Sequence, residues 1–257
     1  MWLLPIVLTP AVASAGIVPL QGTLYFSEDF NTNGLYTLDT DTGDATHVGD
    51  SGVVGRTVGL APNADALELW GSEWFGLNLV QSDGLGVDPI SEIAGGGIAE
   101  GMAFDPDTGT LYGAINTVFF TIDTTTGEMD TLLDDGDIDY EGLAFGNGGV
   151  YGLPGFTDDD THLWFFDPKV GAWSIVGDTE IDWIEAGLAF DPIHNVLYAK
   201  NGRDSTLYQI DPSNGFTSVI GDTGIFNGGG LAYIVPEPQV LSFLLVGMVF
   251  LVRRSRR

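Results

Sequence analysis

A four-residue word, Gly-apolar-Ala-aromatic, returns along this chain as Gly101-Met102-Ala103-Phe104, Gly142-Leu143-Ala144-Phe145, Gly187-Leu188-Ala189-Phe190 and Gly230-Leu231-Ala232-Tyr233. A degenerate copy, Gly59-Leu60-Ala61-Pro62, precedes them, and the successive intervals are 42, 41, 45 and 43 residues. Downstream of the word comes an apolar-aromatic pair, Leu111-Tyr112, Val150-Tyr151 and Leu197-Tyr198, with Leu24-Tyr25 at the start and Trp70 in the weak copy. A third word alternates and ends in Asp before a Gly, as in Phe119-Phe120-Thr121-Ile122-Asp123 with Gly127 and Leu207-Tyr208-Gln209-Ile210-Asp211 with Gly215. A fourth segment follows, such as Ser174-Ile175-Val176-Gly177-Asp178. Three or four short strands in each period of about 43 residues, punctuated by Gly, Asp and Pro, are what a four-stranded propeller blade requires. No segment between the two ends keeps apolar residues at helical spacing for three turns, which excludes most helical repeats.

The ends of the array point to a closed ring. Its first copy begins at Leu24-Tyr25 without the Gly-x-Ala-aromatic word, and its last copy, Gly230 to Tyr233, is nothing but that word. Joined in space, the two make one blade and hide the edges that an open sheet would expose. The chain is therefore expected to be all-β, a β-propeller of five four-stranded blades over residues 16–234. The Gly-rich second copy leaves room for a sixth blade. An open solenoid is the alternative, but nothing in the sequence caps its terminal faces. These words resemble those of bacterial extracellular propellers, a resemblance of blade grammar that implies fold and carries no chemistry.

Two apolar segments flank the array. Residues 1–15 read as a secretory signal peptide, with the run Trp2 to Leu8 followed by Ala13-Ser14-Ala15, a small-residue pattern that signal peptidase cleaves. At the other end, Pro236-Glu237-Pro238 precedes an apolar stretch from Val240 to Val252, and Arg253, Arg254, Arg256 and Arg257 follow directly. A basic cluster after an apolar segment holds that end on the cytoplasmic side. The stretch is shorter than the roughly 20 residues of a full helical span. The order of Pro-Glu-Pro, apolar helix and Arg-rich end, over residues 235–257, closely resembles the PEP-CTERM sorting signal. That resemblance implies a hydrophobic transmembrane helix and an exosortase-type membrane protease that cuts near Pro236. It also implies passage through the inner membrane to the surface, outer envelope or extracellular matrix of a Gram-negative-type bacterium.

Composition narrows the partners. Of 36 acidic residues all but Glu237 lie between Gly16 and Val235, against Arg56, Lys169, Lys200 and Arg203. So acidic a surface repels phosphate backbones, which makes nucleic acid an improbable partner, and favours divalent cations or basic partners. With 44% apolar and 11% aromatic residues the chain has the material for a core, and with no Cys it has neither disulfides nor a thiolate.

No catalytic constellation stands out. His47, His162 and His194 fall at different phases of the repeat and pair with no nucleophile word. Glu100 and Glu141 directly precede the Gly of an inner strand and Glu185 precedes it by two, so the repeat phase aims these carboxylates at one mouth of a central channel. Oxygen-rich rings at such a mouth hold Ca²⁺ in some propeller hydrolases. Alternating acids around a Gly bend, Asp39 and Asp41, Asp105 and Asp107, and Asp137 and Asp139, are further candidate Ca²⁺ ligands, although none completes an EF-hand loop. Trp74, Trp173 and Trp183 suit either sugar stacking or packing between blades. Three functions compete on this reading. The first is a non-catalytic surface or matrix protein whose propeller binds polysaccharide or surface proteins. The second is a Ca²⁺-dependent hydrolase of the lactonase or phytase type. The third is a purely structural exopolysaccharide-associated component.

Overall fold

A computed structural model of the chain describes residues 21–28, 34–49, 57–64, 67–73, 76–93, 98–134, 136, 138–155 and 160–235. These form five four-stranded antiparallel sheets, and together they make a five-bladed β-propeller. From the axis outward, the closing blade is β20 (Leu231–Ile234), β1 (Thr23–Ser27), β2 (Leu35–Leu38) and β3 (Ala45–Gly49). The second is β4 (Gly59–Pro62), β5 (Glu68–Glu73), β6 (Gly76–Gln81) and β7 (Val87–Glu92). The third is β8 (Gly101–Asp105), β9 (Thr110–Ile115), β10 (Val118–Ile122) and β11 (Met129–Asp134). The fourth is β12 (Tyr140–Gly146), β13 (Gly149–Pro154), β14 (His162–Asp167) and β15 (Ala172–Asp178). The fifth is β16 (Gly187–Asp191), β17 (Val196–Lys200), β18 (Thr206–Ile210) and β19 (Thr217–Asp222). The inner strands touch in the ring order β4, β8, β12, β16, β20 and back to β4. The Gly-rich second copy thus folds as one complete blade, and the described residues form five blades.

Closure works as the two partial copies suggest. Thr23 pairs with Ile234 and Phe26 with Leu231, so the first and last described strands complete one sheet. The signal-peptide segment, the Pro236-Glu237-Pro238 motif, the C-terminal helix and the arginine cluster lie outside the described residues.

The recurring words are pairs in space. The Ala of the first word faces the aromatic residue of the second in every blade: Ala61 faces Trp70, Ala103 faces Tyr112, Ala144 faces Tyr151, Ala189 faces Tyr198 and Ala232 faces Tyr25. A small residue opposite a large one lets the rings lean inward without overfilling the inner layer. The Gly of the word answers a different crowding. A Cβ on Gly142 would stand 2.9 Å from the Ala186 carbonyl oxygen, and one on Gly187 2.5 Å from that of Gly229. Each inner strand presses backbone to backbone on the next, which only Gly permits.

The outermost strands break pairing at the same slot in all five blades, between Leu35 and Tyr36, Leu77 and Asn78, Phe119 and Phe120, Leu163 and Trp164, and Leu207 and Tyr208. A bulge there bends and twists the exposed edge, which discourages pairing with a foreign strand. The axis itself is filled. Inner-strand side chains from all five blades, among them Met102, Leu143, Leu188 and Leu231, leave a cavity of about 20 Å³. That is space for about one water. At this level, side chains of the described inner strands close the expected channel.

Candidate functional site

Antiparallel blades place alternate connections at opposite ends of the ring. At one end lie the connections within β1–β2, β5–β6, β9–β10, β13–β14 and β17–β18, together with the segments that enter each next blade. Glu100, Glu141 and Glu185 all stand at this end, just before β8, within the start of β12 and before β16. Asp139 and Glu28 stand with them. Glu100 is partly buried and accepts a hydrogen bond from the Asn116 amide at 3.2 Å. Burial raises its pKa above the ordinary glutamate value; the Asn116 bond opposes this, and the negative fields of Asp139 and Glu185 add to it. Glu141 folds over Gly155, where any Cβ would meet its carboxyl group. Glu185 is exposed and holds a left-handed backbone, φ 47°, with Gly202 and Gly228 packed against it.

The same mouth contains a feature that the sequence did not single out as a site residue. Lys200 closes β17 and is 0% exposed. Its Nζ donates to the Asn227 carbonyl at 2.6 Å and lies 4.8 Å from the centre of the Phe26 ring. Asn227, itself at φ 94°, donates from its side chain to Glu28 Oε1 at 3.0 Å. Glu28 is almost fully buried. Lys200, Asn227 and Glu28 thus join the fifth blade to the closing one. Ser27 and Ser72 occupy the corresponding strand position in their blades, and their hydroxyls donate to the carbonyls of Thr57 and Ala99 in the neighbouring blade. In the sequence, a Lys ending the apolar run Val196 to Ala199 was the one available sign.

Of the candidate Ca²⁺ ligands, Asp39 and Asp105 sit in turns whose backbone amides they accept. Asp39 Oδ1 accepts the amides of Asp41 and Thr42, each at 2.9 Å, and these bonds hold its carboxyl below the ordinary aspartate range. Asp105 likewise accepts the Asp107 amide at 2.9 Å and the Thr108 hydroxyl at 2.7 Å. Both turns lie at the end of the ring opposite Asp139, and Asp137 is outside the described residues. Among the described residues no three Asp, Glu or His side chains stand together as a metal-holding group. The histidines are dispersed: His47 packs edge-on against Tyr36, His162 bonds Asp160 at 2.5 Å and His194 bonds Asp191 at 2.6 Å.

The tryptophans serve packing where they are described. Trp183 is 1% exposed and donates to the Thr179 hydroxyl at 2.8 Å. Trp173 stacks on Tyr140 with centroids 4.3 Å apart. Trp74 lies outside the described residues.

Fold and site together define a five-bladed propeller with one face of short Asp-capped turns and one mouth that bears carboxylates and a buried lysine. No family model matches the sequence, and no curated protein does. Among solved structures, a chain in "Crystal structure of Nidogen/Laminin Complex" is similar, with a TM-score of 0.58 and 14% identity, covering 82% of this chain and 82% of that chain. At that identity the likeness is one of fold.

Proposed function

We propose that this protein is exported, sorted by its C-terminal tail and displayed at the cell surface or in the extracellular matrix as a non-catalytic binding propeller. The observation that carries this reading is where the ring closes. β20 ends at Ile234, two residues before Pro236, so a cut at the Pro-Glu-Pro motif removes the apolar tail and the arginines and leaves every blade whole. The dense acidity of what is left suits basic surface partners or cation-bridged polysaccharide. Expression in a bacterium that carries an exosortase-type protease tests it. The mature product is expected to end near Pro236 and to leave the membrane fraction, whereas replacing Pro236, Glu237 and Pro238 by Ala holds the chain in the membrane. Equal release of both forms would overturn the reading.

A second reading, a Ca²⁺-dependent hydrolase, has behind it only the partly buried Glu100 in the field of Asp139 and Glu185, since no three carboxylates of the described residues stand together as a metal-holding group. A divalent cation would relieve that repulsion. Calcium titration by calorimetry separates the two readings. Binding that Glu100→Gln abolishes supports a metal mouth, and unchanged heats in both forms leave the display function alone.

A further inference from the structure

We propose that the turn face of the ring, opposite the carboxylate mouth, lies flat against a lipid bilayer while the tail is in the membrane. This rests on the reading of residues 240–252 as membrane-embedded and adds the orientation of the domain and the lipid it tolerates.

The tether is short and central. β20 is an innermost strand, so the described chain leaves next to the ring axis, and Val235 still packs against the core around Leu24 and Tyr233. From Val235 to Val240 the chain takes five residue steps. Whatever its conformation, it reaches no more than about 18 Å. The headgroup layer takes up roughly 5–8 Å of that. The face from which β20 emerges therefore cannot stand off from the membrane by more than about 13 Å once Val240 enters the hydrocarbon.

That same face carries the exposed apolar tips. Leu85 is 80% exposed, Val170 73%, Leu67 71% and Phe216 70%, and each sits at a turn on this side, with Ile193 beside them. Nine large apolar side chains are exposed among the described residues; five are on these turns, three are on outermost strands and one, Phe226, is on the mouth side. The five belong to the second, fourth and fifth blades, so they surround the tether instead of flanking it. A central tether with apolar contacts around the rim holds a disc face-on and keeps the carboxylate mouth turned toward the outside.

Charge selects the lipid. Asp39 and Asp123 on this face have carboxyls held below the ordinary aspartate range by the amides of their own turns, so they stay ionised. Among the described residues Lys169, beside Val170, is the exposed cation on these turns. An anionic leaflet would repel such a face, whereas zwitterionic headgroups accept it.

The chain has no Cys, so single cysteines can carry a polarity-sensitive fluorophore without competing sites. The full chain is reconstituted in phosphatidylcholine vesicles with the label at Leu85→Cys, Val170→Cys or Phe216→Cys, at Phe226→Cys on the opposite face, and at Leu245→Cys in the tail. The expected result is emission shifted to shorter wavelength, and quenching by headgroup-attached quenchers, at the three turn positions and not at position 226. Admixed phosphatidylglycerol should weaken both. Water-like emission at all three turn positions, with position 245 reading hydrocarbon, overturns the orientation and leaves the tail reading intact. Water-like emission at position 245 overturns both.

Discussion

The two faces of this ring use acidic residues in opposite ways. On the turn face, five loops share one construction: the amide of Gly43, Gly109, Gly127, Gly171 or Gly215 donates to the carbonyl of the Asp four residues earlier, at 2.8–2.9 Å. The carboxylate of the same Asp accepts the amide two residues on, as Asp123 does from Thr125 at 2.8 Å and Asp167 from Lys169 at 2.8 Å. These charges are part of the backbone's own hydrogen bonding, and they favour the fold. On the mouth face, burial holds the Glu100 carboxyl above the ordinary glutamate value, with the fields of Asp139 and Glu185 adding to it, so its charge works against the fold. Charges that hold a turn are structural. Charges gathered at some cost to stability are the ones to test for a ligand.

A large effect from a single methyl group is expected in the layer between the faces. Gly187→Ala puts a Cβ 2.5 Å from the Gly229 carbonyl oxygen and 2.9 Å from Leu231, where neither inner strand has room to retreat. A loss of about 3 kcal/mol in urea unfolding is expected. Gly109→Ala on the turn face meets nothing within 4 Å, although its φ of 73° strains any side chain. About 1 kcal/mol is expected there. Equal losses at the two sites would mean that the inner strands are not as tightly seated as their contacts imply.

A smaller effect separates the faces directly. Asp123→Ala removes the acceptor for the amides of Thr125 and Thr126, both at 2.8 Å. A lower urea midpoint than the parent's is expected. Glu185→Ala on the mouth face removes an exposed side chain that repels Glu100. It should change stability by no more than about 0.5 kcal/mol. A comparable loss at Glu185 would show that the mouth carboxylates are structural after all.

How much of this was legible beforehand follows from what a repeat can encode. The phase of the Gly-x-Ala-aromatic word fixes which residues are innermost and at which end they begin, so the inner strands and the side of Glu100, Glu141 and Glu185 could be read off. The partial copies at Leu24 and Gly230 gave closure for the same reason. Register between strands is set by packing in space, and the pairing of Ala144 with Tyr151 was visible only as two words that travel together. The Lys200, Asn227 and Glu28 connection joins residues far apart in the chain, through a loop that breaks the repeat. Periodicity carries no information about such a contact. The Asp turns looked like cation loops because Ca²⁺ and backbone amides both call for carboxylates near a Gly bend. The hydrogen bonds, which composition does not reveal, assign Asp39 and Asp105 to the backbone.

The finest distinction between the faces is the sign of their pH dependence. The folded pKa of Asp123 is lowered, chiefly by the amides of Thr126 and Thr125. Its contribution is therefore fully present above the unfolded value of 3.8 and disappears as pH falls through the lower folded value. Glu100 behaves in reverse. Its folded pKa is raised by burial above 4.5, so the folded state holds the proton more tightly and stability falls as pH rises through the folded value. Glu100→Gln keeps an oxygen for the Asn116 amide while removing the charge. It should melt higher than the parent at pH 7 and coincide with it near pH 4, whereas Asp123→Asn should melt below the parent at pH 7, with the deficit narrowing as pH falls below 3.8. Calorimetric scans of both variants across this range read the two signs side by side. Should Glu100→Gln melt lower at neutral pH, the mouth would be held together by its charges, and the contrast between the faces would fail at the residue where it is sharpest.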